Sequence, residues 1–235
     1  MSFQRRWFDL PKMNEWSNLW EKGQVTTFAY LFPNGYIEGF IGDWLDSLEL
    51  GDDILEVGCG NASLVPYLQH RGVGKNYTGV DSAKIQLPEM QIKNLNITLH
   101  KETKIEDTSF IGKFDHVVSI YGLEYTYVFR TLPLVYESLK KNGQIHLMLH
   151  NTDSPITRYA RKQLSTHYSI NFKSTGNLVD DFKSEKIRHK KQIEVSRDKN
   201  EIEVFKCNLE KTGFTDIKIT EQEQKFAWLI SAKRL

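Results

Sequence analysis

The chain has 235 residues, 40% of them hydrophobic, with 31 Lys and Arg against 30 Asp and Glu. That is enough for one well-packed α/β domain with an appendage, and the balanced charge removes any global drive toward nucleic acid or acidic membranes. Two cysteines, Cys59 and Cys207, are too few for a disulfide framework, and neither a signal-peptide core nor a membrane-length apolar run is present, so a soluble cytoplasmic protein without a membrane partner is expected.

Residues 1–50 are rich in aromatics, among them Trp7, Trp16, Trp20, Phe32, Tyr36 and Trp44. The spacings Met13, Trp16, Leu19, Trp20 and Ile37, Phe40, Ile41, Trp44, Leu45, Leu48 are helical, with a turn at Pro33-Asn34-Gly35 between them. They predict a helical cap packed on a sheet. From residue 52 the pattern alternates. Strands are predicted at Ile54–Val57, Tyr77–Val80, Ile97–His100, Phe114–Tyr121 and Gln144–Leu149. Helices are predicted at Ser63–Arg71, over 83–94 and at Leu132–Lys140, the last stopped by Asn142-Gly143. Strands alternating with helices imply right-handed crossovers and a parallel sheet.

The last third changes character. Ser154-Pro155 opens a predicted helix, and residues 173–199 are polar and lysine-rich, within a stretch from Pro155 to Lys206 that holds twelve Lys and Arg against seven Asp and Glu. Lys199–Lys211 reads as a helix ended by Gly213, and Thr215–Thr220 and Phe226–Ala232 as an antiparallel hairpin. The domain organisation expected is a single unit over 1–235: cap 1–50, core 51–150 and 200–235, and a substrate-side insertion over 151–199.

The chemistry concentrates at Asp53-Ile54-Leu55-Glu56-Val57-Gly58-Cys59-Gly60-Asn61-Ala62. A buried strand there ends on a carboxylate, and two glycines one residue apart let bare backbone approach a ligand at the start of a helix. Asp81 closes the second strand about twenty residues on. Each carboxylate also has a purely structural reading, Glu56 satisfied by turn amides and Asp81 as a helix N-cap.

This motif, with Gly79-Val80-Asp81-Ser82, Phe114–Ser119, Leu139–Gly143 and Gly213-Phe214-Thr215-Asp216 before the hairpin, resembles the class I S-adenosylmethionine-dependent methyltransferases over roughly 37–150 and 200–233. The resemblance implies a seven-stranded, mostly parallel doubly wound α/β sheet of order 3-2-1-4-5-7-6, the last strand antiparallel, and S-adenosyl-L-methionine as cofactor. It implies that Glu56 orients the methionine end, that Gly58 and Gly60 lie beneath the amino-acid and ribose portions, and that Asp81 accepts both ribose hydroxyls. The adenine amine would meet Glu102 and Thr103, or Glu106 and Asp107 if the loop is shorter. Ser119, Ile120 and Tyr121 would floor the pocket.

The acceptor is expected to be a small molecule methylated at oxygen or nitrogen. RNA is the alternative, through the basic stretch Lys183–Lys191, and no metal is expected. A general base is needed only if the acceptor carries a proton. Tyr121, Glu124, Tyr125, His150 and Asp153 are candidates, with His150 best placed beyond strand five. A nicotinamide-dependent dehydrogenase is the rival fold-mate; its GxGxxG fingerprint would need glycine where Ser63 stands, although Tyr136 and Lys140 mimic a short-chain dehydrogenase pair.

Overall fold

The structure, a computed structural model, describes residues 39–84, 93–151, 199–223 and 227–235. The N-terminal aromatic segment before Gly39, most of the expected 83–94 helix and the insertion over 152–198 lie outside the described residues. In chain order the elements are α1 (Gly39–Asp46), β1 (Asp53–Val57), α2 (Leu64–Arg71), β2 (Asn76–Val80), β3 (Asn96–His100), β4 (Phe114–Ile120), α3 (Val128–Ser138), β5 (Leu139–His150), α4 (Lys199–Thr212), β6 (Phe214–Glu221) and β7 (Ala227–Arg234).

The seven strands form one sheet of order β3-β2-β1-β4-β5-β7-β6. β1 pairs in parallel with β2 and β4, β2 with β3, and β4 with β5, whereas β7 runs antiparallel to both β5 and β6. This is the expected architecture. The order also sets the carboxyl ends of β1 to β5 on one edge of the sheet, where open α/β sheets bind ligands.

Alternation along the strands divides the core. Leu55, Val57, Val117, Leu147 and Leu149 face α3 and α4, whose Val128, Leu132, Val135 and Ile202, Phe205, Leu209 recur at helical spacing. Ile54, Val118, Ile120 and Met148 face the other way, onto Ile41, Trp44 and Leu45 of α1 and Leu64, Tyr67 and Leu68 of α2. α2 ends on Gly72 in the left-handed region, its amide returned to the carbonyls of Gln69 and Leu68.

Two expectations need correction. The third helix starts earlier than Leu132 and ends at Ser138, so Lys140 lies on β5, not on a helix. Asn142-Gly143 is not a helix stop but an excursion within β5, with Asn142 at φ +65° and the pairing to β4 jumping from Leu139–Phe114 to Gln144–His116. Tertiary contacts override the turn signal there. Leu139 is fully buried, and the Lys140 ammonium bonds Asp53 at 2.6 Å and Asp115 at 2.8 Å. The end of α3 is closed instead by Arg234, whose guanidinium donates to the carbonyls of Tyr136, Glu137 and Leu139.

Candidate functional site at the carboxyl ends of the strands

The first two amides of the strand-to-helix turn after β1 are held against β2 through backbone. The amides of Gly58 and Cys59 both donate to the Val80 carbonyl, at 2.9 and 3.2 Å. Gly58, at φ +73°, has a second reason to be glycine: a Cβ there would lie 2.6 Å from the Gly122 Cα. Gly122 is its counterpart after β4, where a Cβ would meet the Val57 carbonyl oxygen at 2.5 Å and the Gly58 Cα at 2.8 Å. The turns after β1 and β4 therefore touch backbone to backbone.

Ser119 locks the same junction. Its fully buried hydroxyl donates to the Val57 carbonyl and accepts from the Leu123 amide, both at 2.7 Å. That side chain ties β4 to β1.

Asp81 receives the Gly60 amide on one carboxylate oxygen and the Ala83 amide on the other, both at 2.7 Å. A local bond two residues on and a bond to the glycine turn thus coexist in one residue. An ionised carboxylate offers about four lone-pair sites, so two backbone bonds leave acceptor capacity for a diol. Burial pushes the Asp81 carboxyl above its ordinary value, against the pull of the two amides.

Glu56 is 3% exposed and accepts a hydrogen bond from the Tyr77 phenol. Burial pushes its carboxyl up to about 8, the Tyr77 bond opposing and the nearby Asp81 charge assisting. Two carboxylates thus converge beneath the glycine turn, and among the described residues no ion pair joins either to a cation. Burying like charges this way is costly, and the cost is relieved by a ligand that brings positive charge.

The loop after β3 discriminates between the adenine candidates. The Glu102 amide donates to the Ala83 carbonyl at 3.2 Å and the Thr103 amide to the Asp81 carbonyl at 2.9 Å, so this pair sits on the end of β2. Glu102 holds φ +50° and is exposed. Glu106 turns away, its carboxylate accepting from the Thr131 hydroxyl of α3 at 2.8 Å, and Asp107 is exposed on the same 3-10 turn.

Beyond β4, Tyr121 sits at φ +55°, is 7% exposed, and gives its amide to the Met148 carbonyl. Burial, with the charges of Glu124 and Tyr125 close by, pushes its phenol well up, so Tyr121 stays protonated at neutral pH. Glu124, on the 3-10 turn Leu123–Tyr125, is fully buried. His150 ends β5 in register with Ala227. Its side chain, like Asp153 and the whole Lys183–Lys191 stretch, lies outside the described residues. Next to it the Asn151 amide donates to the Glu221 carboxylate at 2.7 Å.

The donor set separates the two cofactor classes. A nicotinamide dinucleotide lays a pyrophosphate on the glycine turn, where Glu56 would repel it, and its fold carries the order 3-2-1-4-5-6. S-adenosylmethionine brings an ammonium, a sulfonium and a ribose diol, which match the buried Glu56 and the partly buried Asp81, and the sheet order with an antiparallel β7 matches as well. The dehydrogenase mimic also dissolves: Lys140 is held by Asp53 and Asp115, while Tyr136 packs edge-on to Phe214 beneath Arg234. Gly122 and Tyr77 are the members of this region that sequence reasoning passes over. A glycine directly after β4 was the available signal for the first; the second shows only once β1 and β2 are in register.

Residues 54–143 match the family model described as a methyltransferase domain. No curated protein matches significantly by sequence. Among solved structures the chain is similar to the Haemonchus contortus phosphoethanolamine N-methyltransferase 2 bound to phosphomonomethylethanolamine and S-adenosylhomocysteine, at 13% identity and TM-score 0.59, over 96% of this chain and 60% of that one. It thus spans less than two thirds of that enzyme's length. It is similar also to the geranyl diphosphate C-methyltransferase of Streptomyces coelicolor (13% identity, TM-score 0.51, 83% and 78% covered). A third is an S-adenosylmethionine-dependent methyltransferase of Archaeoglobus fulgidus (16%, TM-score 0.50, 81% and 90%).

Proposed function

We propose that the chain is a class I S-adenosylmethionine-dependent methyltransferase and that it transfers the methyl group to an oxygen or nitrogen of a small-molecule acceptor. The observation that carries the choice of acceptor is the fully buried Glu124 close to Tyr121, just beyond the carboxyl end of β4. A buried carboxylate beside aromatic rings suits a compact acceptor enclosed by protein rather than an extended RNA strand. The solved relatives bound to phosphomonomethylethanolamine and to geranyl diphosphate lend support at the level of acceptor size.

The cofactor supplies an electrophilic methyl on a sulfonium sulfur. The residues of this chain do the rest by placement. Glu56 would face the methionine ammonium, Gly58 and Gly60 would lie beneath the chain linking it to the ribose, and Asp81 would take the ribose hydroxyls on the lone pairs its two amides leave. Glu102 and Thr103 would border the adenine, and Ser119 and Tyr121 would underlie the cofactor. In-line displacement gains most of its acceleration from such alignment. If the acceptor must lose a proton, Glu124 and His150, the residue that ends β5, are the candidates to take it, since Tyr121 remains protonated. The cap over 1–50 and the insertion over 151–199 would close the mouth and exclude water, the whole chain acting as one domain.

The test is a screen of amines, phenols, carboxylates and short RNAs with cofactor labelled at the methyl carbon. Label in a small amine or hydroxyl compound, reduced by Glu124→Gln, supports the proposal. Label found in RNA alone contradicts it.

A further inference from the structure

Tyr77 reaches Glu56 through a slot that Gly79 leaves open. Tyr77 and Gly79 are two apart on β2 and so share a face, and Gly79 is the register partner of Glu56 across the β1–β2 pair. A Cβ on Gly79 would lie 3.0 Å from the Tyr77 hydroxyl and 2.8 Å from the Cys59 sulfur. The phenol lies along that space, 1% exposed, and donates to the Glu56 carboxylate.

We propose that Tyr77 is a positioning residue for the cofactor, and that the Tyr77–Glu56 pair makes cofactor binding release a proton from Glu56 to solvent. This rests on the assignment of Glu56 to the methionine ammonium made above. The titratable groups facing Glu56 are Tyr77 and Asp81 from β2 and Cys59 from the turn, and none is a cation at neutral pH. From α2, packed on the same face, Tyr67 is turned to Asp46, and His70 and Arg71 lie exposed at the far end. From β4 the same face carries His116, bonded to His146. Burial holds Glu56 protonated at neutral pH in the ligand-free protein, and burial beside Glu56 pushes the Tyr77 phenol well up, so Tyr77 remains the donor whether Glu56 is neutral or charged. An arriving ammonium favours the carboxylate, and one proton leaves as the charge pair forms.

The experiment titrates S-adenosylhomocysteine into the full chain calorimetrically at pH 7, in buffers of different ionisation enthalpy. About one proton should be released per ligand bound, and affinity should rise roughly tenfold per pH unit below the Glu56 midpoint. Glu56→Gln should abolish the release. Tyr77→Phe removes the bond that favours the charged carboxylate, so the midpoint of the affinity profile should move to higher pH and binding at pH 7 should weaken several-fold. Gly79→Ala, which fills the slot, should do the same and serves if Tyr77→Phe folds poorly. A lowered melting temperature with an unmoved midpoint would make Tyr77 merely structural and overturn the proposal. Tight binding without proton release would overturn it while leaving the cofactor assignment intact. No binding of S-adenosylhomocysteine at all would overturn that assignment, and this inference with it.

Discussion

The two ends of the sheet treat charge in opposite ways. At the amino ends of the strands, Lys140 is bonded to both Asp53 and Asp115, the Asp115 carboxylate also receives the Asp53 amide, and Asn76 bonds Asp53 from β2. The Lys140 bond, then that of Asn76, holds Asp53 below the usual carboxylate range; Asp115, despite partial burial, is held down by Lys140 and the Asp53 amide. At the carboxyl ends, Glu56 and Asp81 sit together with backbone amides and a phenol for partners, and burial pushes both upward. Charges are matched where the fold is only held together and left mismatched where a ligand is to arrive.

The contrast can be broken most severely at its upper end. Gly122→Ala would drive a methyl group into the Val57 carbonyl and the Gly58 backbone, where no flexible side chain can give way. We expect a loss of about 1–3 kcal/mol or more in urea unfolding, with cofactor binding abolished. Asp81→Ala comes next: it should remove nearly all of the melting-temperature rise produced by S-adenosylmethionine, which arises because the ligand binds only the folded state. The protein should remain folded, since the variant loses two amide bonds at a partly exposed turn.

A pH series sharpens the comparison. His116 and His146 are bonded at 2.9 Å on the face covered by α1 and α2, and burial, together with the neighbouring His116, lowers His146 to about 3. Its folded value lies below its unfolded one, so its contribution is complete above about pH 6.5 and is lost as pH falls toward 3. Glu56 has the opposite sign. Its folded value lies above its unfolded one, so its contribution is complete at low pH and lost as pH rises through about 8. Each acts with a slope of up to about 1.4 kcal/mol per pH unit. Melting curves of the ligand-free protein should therefore show Glu56→Gln flattening the decline above pH 6.5, and His146→Gln flattening the acid limb. The smallest effect belongs to the lower end: Lys140→Met should cost at most about 1 kcal/mol, since its pairs are half-exposed and screened. It should leave S-adenosylmethionine affinity unchanged.

How far this was legible in the sequence follows from the range of the forces involved. β1 and β2 declare themselves by alternation, and the order of the sheet follows the strand–helix rhythm and the terminal hairpin. The boundary between α3 and β5 did not, because the local signal of Asn142-Gly143 is outweighed by Leu139 burial and the Lys140 ion pairs, which involve residues 25 and 87 positions away. Glu56 and Asp81 stand out as carboxylates at strand tips. Ser119 reads as pocket floor, yet its hydroxyl is taken up by Val57 and Leu123, a role fixed only when β4 lies beside β1. What Gly122 meets depends in the same way on Val57 and Gly58, far off in the chain, so its position after β4 is only a hint, and the Tyr77–Gly79 slot leaves no local pattern at all.

The most direct test of the central claim is calorimetric titration of S-adenosylmethionine and, separately, NADH into the full chain at neutral pH. The mismatched carboxylates at the upper end predict saturable binding of S-adenosylmethionine, lost in Asp81→Ala, and none of NADH. Binding of NADH with no response to S-adenosylmethionine would contradict the account.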